Sequence, residues 1–537
     1  MTSELLLQQR VAMASEQHQE DTKTIPLKIL VDKQSNKVVF VEATKDFVET
    51  LFSFLSLPLG TIVRLLATIN NDQQNQQSES SPFFDNIKNL YETVQNLNSN
   101  NDWNNPFCKQ MLLHPRNPCE SLCMKLFLNI DDTEPSDKIF VCDSCNTFTT
   151  FKNLDCTCGK PTNRQPRNLD SKSKGNSSST CVDTQNGVFV KENGSMFLVS
   201  DDLKIVRSSS VTYLQLLMEL GYSDLTQIEE VTQNISKKEV LNLLKYTLTS
   251  HEPLTNTILK SNSKNKVNPS NPSAEAVKGM PCTSNKSKID VKVVQSKSLK
   301  KIIFAESNGD FVDFIFSFLT MPLGSILKLL GPNSFAGCVS NLYKSVEYLD
   351  PTSVLLNPGI APQFSCPNQP LTIPHLQPPP STYYYGAGTP QQEYNYLVQC
   401  YVTKLITIEG GIISKTEGSI YEGKLLIALD PRSPNKSKEG VVGFVKRAAL
   451  YGVGDDLNVK PLFANSFFSY LKELSLPLDD IEVKVISIGE AEALSLLGTF
   501  LTSKCTLTSG LQDFLDVPKQ ESTFLKVPKQ ESTFNGN

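Results

Sequence analysis

The chain carries one 27-residue passage twice, and that duplication constrains its fold more than any other feature. Phe40 to Leu66 read FVEATKDFVETLFSFLSLPLGTIVRLL, and Phe304 to Leu330 read FAESNGDFVDFIFSFLTMPLGSILKLL, without a gap. Asp46/Asp310, Phe47/Phe311, Phe54/Phe318, Pro58/Pro322 and Gly60/Gly324 are identical pairs. An unbroken match of this length implies a repeated folding unit. Whatever stands in one copy only is then not required by the fold itself.

Each copy opens with two short strands. Leu27 to Val31 and Val38 to Val41 flank the polar turn Asp32 to Asn36, and Val291 to Val294 and Ile302 to Ala305 repeat the pattern, so both pairs read as β-hairpins. Asp46 with Glu49, and Asp310 with Asp313, have capping-box spacing and predict helix starts. Phe47, Leu51, Phe54 and Leu55 share a helical face that Val48 and Phe52 widen, which predicts a buried helix. Pro58 and Gly60 break it before a second helical stretch from Thr61 to Leu66. Phe311 to Leu330 is apolar enough to raise a membrane reading. Asp313, Pro322, Gly324 and Lys328 argue instead for a buried helix pair, with a membrane-surface hairpin as the alternative.

The match resumes at Asn89-Leu-Tyr91 and Asn341-Leu-Tyr343, after twelve extra residues in the first copy's Asn/Gln/Ser-rich stretch. It continues at Leu112-Leu-His-Pro115 and Leu355-Leu-Asn-Pro358, and at the Asp-Asp-Leu runs ending at Leu203 and Leu457. It closes at Leu248-Thr-Ser250 and Leu501-Thr-Ser503. Strands and helices alternate without a βαβ rhythm, so the fold class is α+β: two tandem copies of one unit. The expected units span 26–255 and 290–511. A disordered N-terminus (1–25), a Ser/Asn/Lys-rich linker (256–289) and a disordered tail (512–537) complete the chain. The first unit holds a loop at 165–180, and the second a Pro/Tyr-rich insertion at 375–396. The tail repeats VPKQESTF at Val517 to Phe524 and Val527 to Phe534; it is either a pair of docking motifs or a neutral duplication.

The hairpin segment Leu27 to Ala43, the helical segment Asp46 to Leu66, and the SDDL and KKEVLNLLK stretches resemble the plant proteins grouped as domain of unknown function 674. The resemblance covers nearly all of both units. It implies a plant protein with tandem copies, and it supplies no activity, substrate or catalytic residue.

Of the 13 cysteines, four form a chemical pattern: Cys142-Asp-Ser-Cys145, ten residues, then Cys156-Thr-Cys158. Four thiolates from two tight turns can surround a zinc ion tetrahedrally, as in a zinc ribbon. The second turn is CxC rather than CxxC, and Cys119 and Cys123 are close enough in sequence to substitute. The alternatives are reduced thiols in a loop, or redox use. The second unit offers only Cys400 nearby, so structural zinc is expected in the first unit alone. His18, His114, His251 and His375 all lie outside the cluster, which argues against a catalytic metal.

Other candidates have bland readings beside the sharp ones. His114 matches Asn357, so it reads as a helix-end residue rather than a general base. Asp201-Asp202 and Asp455-Asp456 read as polar turns, or as carboxylates for acid–base chemistry. Gly440 to Gly443, followed by Lys446 and Arg447, has the outline of a GxxG nucleic-acid loop. The net charge of −5 argues against nucleic acid as partner. Met1 to Glu20 carries Glu4, Glu16 and Glu20 around a short apolar patch, so no secretory signal is expected. A reducing compartment, cytoplasmic or nuclear, follows.

Duplication, few histidines and low-complexity segments together favour a soluble, non-enzymatic interaction or scaffold protein with protein partners and no membrane span. One alternative is an enzyme with a carboxylate-lined cleft built on Asp201, Asp202 and Glu239 or their second-unit partners. The other is a zinc-assisted nucleic-acid binder with a basic face at Lys152, Lys160, Arg164 and Arg167.

Overall fold

The computed structural model describes residues 23–71, 82–97, 102–133, 138–163 except 143 and 146, 187–191, 195–259 except 223, 288–331, 335, 337–376, 381–386, 401–406, 423–432 except 426, 442–462 and 477–515. The N-terminal segment up to residue 22, the 165–180 loop, most of the linker, much of the Pro/Tyr-rich insertion and the VPKQESTF tail lie outside these residues.

The alternation in TIPLKILVD puts Ile25, Leu27 and Ile29 on one face of strand β1 (Thr24–Asp32) and Pro26 and Lys28 on the other. β2 (Lys37–Ala43) returns antiparallel, with a register shift between Leu30 and Val31. The hairpin β10 (Ile289–Ser296) and β11 (Lys301–Ser307) has the same shift between Val294 and Gln295. Both turns need a left-handed residue, Asn36 at φ 51° and Lys300 at φ 50°. Asparagine tolerates that conformation well and lysine less so.

Each hairpin sits inside a five-stranded antiparallel sheet. The first adds β7 (Phe197–Ser200), β8 (Ile205–Arg207) and β9 (Ile228–Ser236) in the order β8-β7-β2-β1-β9. The second adds β16 (Tyr451–Gly454), β17 (Val459–Pro461) and β18 (Ile481–Ile488) in the order β17-β16-β11-β10-β18. The Asp-Asp-Leu turns before β8 and β17 place Leu203 and Leu457 at φ 61° and 62°. Both leucines are buried, so core packing holds a conformation that leucine alone disfavours.

Against the sheets lie the broken helices. α1 (Lys45–Ser53) runs into a 3₁₀ turn at Phe54–Ser56 before α2 (Leu59–Asn71). In the second half, the helix Gly309–Ser317 and the turn Phe318–Thr320 precede Leu323–Leu330. These breaks meet. Pro58 and Pro322 form an antiparallel bridge, Leu59 N–H donates to Met321 O at 3.1 Å, and Leu323 N–H donates to Leu57 O at 3.2 Å. Gly324 is required there: a Cβ would sit 2.1 Å from Leu355 O.

Two helices bridge the halves. α3 (Pro82–Asn96) packs on the second half's helix Glu490–Thr502, where Asn86 donates to Phe500 O at 2.8 Å and Ser503 O at 2.6 Å. The helix Val339–Leu349 packs on the first half, where Cys338 Sγ meets Ser250 O at 3.1 Å and Asn341 donates to Asp202 O at 2.9 Å. Trp103 bridges to Val445 and stacks on Phe316 at 5.9 Å. One continuous apolar core runs through both halves.

The architecture is α+β. Phe47 to Ser56 is buried throughout, as the helical face predicted. Among the described residues no helix is long and apolar enough to cross a membrane. Element ends differ slightly from the expected borders: β1 starts at Thr24, the helix Pro253–Ile258 passes residue 255, β10 starts at Ile289, and Thr506–Leu515 passes residue 511.

The capping-box expectation needs correcting. Thr44 and Asn308 are the N-cap residues, and Asn308 Oδ1 accepts from Asp310 N–H at 3.1 Å. Glu49 Oε1 instead accepts from Phe189 N–H at 2.9 Å and Val190 N–H at 3.1 Å. Asp313 Oδ1 does the same with Phe444 at 2.9 Å and Val445 at 3.0 Å. A distant loop outcompetes the local cap because it brings two otherwise unpaired N–H groups to one buried carboxylate.

Candidate metal centre

Two small hairpins present the four cysteines. β3 (Phe140–Val141) and β4 (Thr147–Thr149) flank the first turn, and Cys142 N–H donates to Thr147 O at 3.1 Å. β5 (Leu154–Asp155) and β6 (Pro161–Thr162) flank the second. There Cys156 N–H donates to Lys160 O, Gly159 N–H donates back to Cys156 O, and Gly159 takes the left-handed φ of 77° that such a tight turn needs.

The Sγ atoms of Cys142, Cys145, Cys156 and Cys158 all lie within 4.8 Å of one another, and Cys142 and Cys158 are 3.5 Å apart. A tetrahedral zinc with Zn–S bonds near 2.3 Å sets its sulfurs about 3.8 Å apart. The quartet therefore needs only small movements to close on an ion. Cys142 and Cys156 are buried, Cys145 is half-buried and Cys158 exposed. At Cys156 burial pushes the thiol up. Hydrogen bonds from the Thr147 hydroxyl, the Cys158 N–H and the Thr157 hydroxyl outweigh that and bring it down to about 6. Cys145 is pushed up to about 12, first by its hydrogen bond with Cys158 and then by burial.

Cys119 and Cys123 stay apart from this group. Both are buried, and burial pushes each thiol up to about 12. Cys123 Sγ is held by Ser56 Oγ at 3.6 Å and Asn117 Nδ2 at 3.5 Å. Cys400 lies outside the described residues.

The cysteine hairpins rest on both halves. Arg116 stacks its guanidinium 3.9 Å from the Phe151 ring centroid and donates to Thr150 O at 2.6 Å. Phe151 also meets Phe107 and, from the second half, Phe364. β4 pairs in parallel with β15 (Ile427–Ala428), and Leu429 N–H donates to Phe148 O at 2.8 Å. The cluster is thus hydrogen-bonded to second-half backbone.

The remaining candidates are engaged elsewhere. His114 ends the helix Phe107–Leu113, donating its N–H to Gln110 O, and burial lowers its pKa. Asp201 accepts from the N–H and hydroxyl of Thr255; burial pushes it up to about 6 against those bonds. Asp455 does likewise with Thr508. Asp202 accepts from Asn341 Nδ2 at 3.1 Å and pairs with Lys204 at 2.8 Å. Glu239 closes a capping box with Ser236. These carboxylates cap separate turns and do not converge. Of the GxxG candidate, Gly443 lies so close to Asp313 that a Cβ there would meet Oδ2, and Arg447 pairs with Asp310 at 2.9 Å. Lys152 and Lys160 are exposed, with Lys160 donating to Ser144 Oγ at 2.7 Å, while Arg164 and Arg167 lie outside the described residues. Sequence reasoning missed the Phe189-Val-Lys191 and Phe444-Val-Lys446 loops; their shared tripeptide was the available signal.

Fold and site together define an α+β protein of two interlocked five-stranded sheets with a four-cysteine cluster between hairpins. The chain belongs to the family described as protein of unknown function DUF674, whose model matches residues 21–491. No curated protein and no solved structure matches it.

Proposed function

We propose that the chain is two tandem copies of one unit, interlocked as a non-enzymatic interaction scaffold, with a structural zinc ion held in the first copy by Cys142, Cys145, Cys156 and Cys158. The observation that carries the metal reading is the approach of four sulfurs to within 4.8 Å at the mouths of two hairpins. Zinc would supply folding free energy to a segment with little core of its own, since binding of this kind is coupled to folding. The β4–β15 pairing extends that effect across the molecule: an ordered first hairpin is a template for second-half backbone. The scaffold reading draws on the carboxylates, which serve caps and turns in both halves. An intracellular location, cytoplasmic or nuclear, suits thiolate ligands.

The test is metal analysis of freshly purified full-length protein beside a Cys142→Ser/Cys156→Ser variant, followed by capture of partners from native plant tissue with each. About one zinc per wild-type chain, none in the variant, and a protein set retained by the wild type support the reading. Zinc-free wild type refutes the metal centre. Turnover of a small molecule by the purified protein refutes the scaffold.

A further inference from the structure

Each five-stranded sheet ends on a long strand, β9 in the first half and β18 in the second. Among the described residues β9 pairs with β1 alone. The register runs from Thr24 opposite Ser236 to Asp32 opposite Ile228 without a shift. One step beyond, Lys33 N–H donates to Gln227 O at 2.9 Å. Bonded and unbonded pairs alternate along an antiparallel ladder, so that bond sets the phase. Glu229, Val231, Gln233 and Ile235 turn their N–H and C=O groups toward β1, while Glu230, Thr232 and Asn234 turn theirs outward. The side chains of these last three are exposed, as at an open edge.

Edge strands are usually blunted by proline, a bulge, a central lysine or brevity. β9, with the sequence IEEVTQNIS, has none of these. Its charges stand together at one end as Glu229 and Glu230, and Lys237 follows the other end. The helix Ser210–Glu219 packs Leu217 over Leu30 and Phe40, and Leu30 lies opposite Glu230, so this helix covers the face from which Glu230, Thr232 and Asn234 project. Its residues Val211, Leu214 and Met218, at i, i+3 and i+7, stay exposed. An apolar stripe beside an open edge points to a protein neighbour.

We infer that β9 is the edge at which two copies of this chain join, pairing antiparallel with β9 of a second copy across a twofold axis at Thr232. Three outward residues offer three centres for such an axis. Centred on Glu230, the ladder would set two glutamates face to face. Centred on Asn234, it would need the Ser236 N–H, which Glu239 holds at 3.0 Å. Centred on Thr232, it sets Thr232 opposite itself and Glu230 opposite the second copy's Asn234 in both directions, with about six backbone hydrogen bonds in all. Glu229 then stands opposite Ile235 and two positions from Lys237 of the second copy, so no like charges face each other and unlike ones approach. The product is a closed, isologous dimer with one sheet continuous through both copies. The inference is independent of the metal reading.

The experiment is sedimentation velocity on the full-length protein over a concentration series, with Thr232→Asp, Thr232→Lys and Thr232→Pro beside the wild type. The wild type is expected to pass from one chain to two as its concentration rises to about 100 μM. T232D and T232K each set like charges face to face at the axis and should weaken association at least about tenfold. An equal mixture of the two should restore it, because residue 232 of one copy faces residue 232 of the other. T232P removes an N–H that β1 does not use and should abolish the dimer; T232D and T232K carry the test if T232P folds poorly. A wild type that stays a single chain throughout overturns the inference. A dimer that survives all three variants, or a mixture no better than its components, overturns the axis at β9. Species that grow past two copies overturn the closed twofold in favour of β9 pairing with a different edge, such as β18.

Discussion

Glu49 and Asp313 hold matching places in the two halves, and each anchors a Phe-Val loop through two N–H groups on one oxygen. Around that common frame the halves diverge. The first inserts the cysteine hairpins between its helices and β7, whereas the second carries the strands β12 (Ser381–Gly386), β13 (Tyr401–Ile406) and β14 (Gly423–Leu425) before β16. One junction of a bridging helix with an Asp-Asp-Leu turn is hydrogen-bonded shut; the other holds a pocket. The comparison separates what the fold requires, which is present twice, from what is added once and is therefore free to carry function.

The largest expected effect falls on the part present once. Removing the proposed zinc, by chelation or by Cys156→Ser, should expose residues 138–163 to protease and deuterium exchange, with an ion affinity worth on the order of 10 kcal/mol. Exchange should also rise at Ile427 to Leu429, through the β4–β15 pairing. Unchanged exchange in both segments would break the link between cluster and second half.

Next come the parts present twice. Phe54 and Phe318 are fully buried, so F54A and F318A should each cost about 3–5 kcal/mol in denaturant unfolding. The helices Pro82–Asn96 and Val339–Leu349 and the apolar core join both halves, so each variant should unfold in a single transition of the whole chain. Two separated transitions would show that the halves are independent.

A smaller, pH-dependent effect falls on the second-half anchor, Asp313. Burial pushes Asp313 up to about 7, against the pull of Val445 and Phe444 N–H. Between about pH 4, where a free aspartate titrates, and pH 7, the native carboxyl keeps a proton that the unfolded chain has lost. The native state then binds more protons, so stability is greatest at the acid end of this window and falls as pH rises through it. Asp313→Asn keeps the Oδ1 acceptor and removes the titration. The melting temperature of the wild type should fall relative to D313N as pH rises, by about 1–4 kcal/mol in stability. Parallel curves would return Asp313 to an ordinary ionised state.

The smallest effect tests the junctions. Asn341→Ala should cost about 1–2 kcal/mol by leaving Asp202 without its amide partner, while Asn89→Ala should stay within about 0.5 kcal/mol. Equal losses would mean that both junctions are sealed in solution.

Much of this was legible from local pattern. Alternation gave the hairpins, helical periodicity gave the buried run Phe47 to Leu55, and CxxC with CxC spacing singled out the four sulfurs. The carboxylates were misread for a physical reason. Glu49 and Asp313 stand at capping-box spacing, and nothing within three residues reveals that a loop more than a hundred residues away supplies better donors. The junction pocket was equally hidden, because Asn89 and Asn341 sit in identical tripeptides and only their surroundings differ.

By itself, then, the amino-acid order determined the strands, the broken helices, the repeated passage and the cysteine cluster, since these depend on side-chain period and short spacing. Tertiary structure decided where the helices Pro82–Asn96 and Val339–Leu349 cross between the halves, since each packs on both and local spacing does not select the distant partner. The choice comes from global packing: the Pro58–Pro322 bridge, with Gly324 so near the first half that a Cβ would come within 3.2 Å of Leu55 O, fixes how closely the halves approach. That approach brings Asn86 to Ser503 and Asn341 to Asp202, and leaves the space beside Thr93.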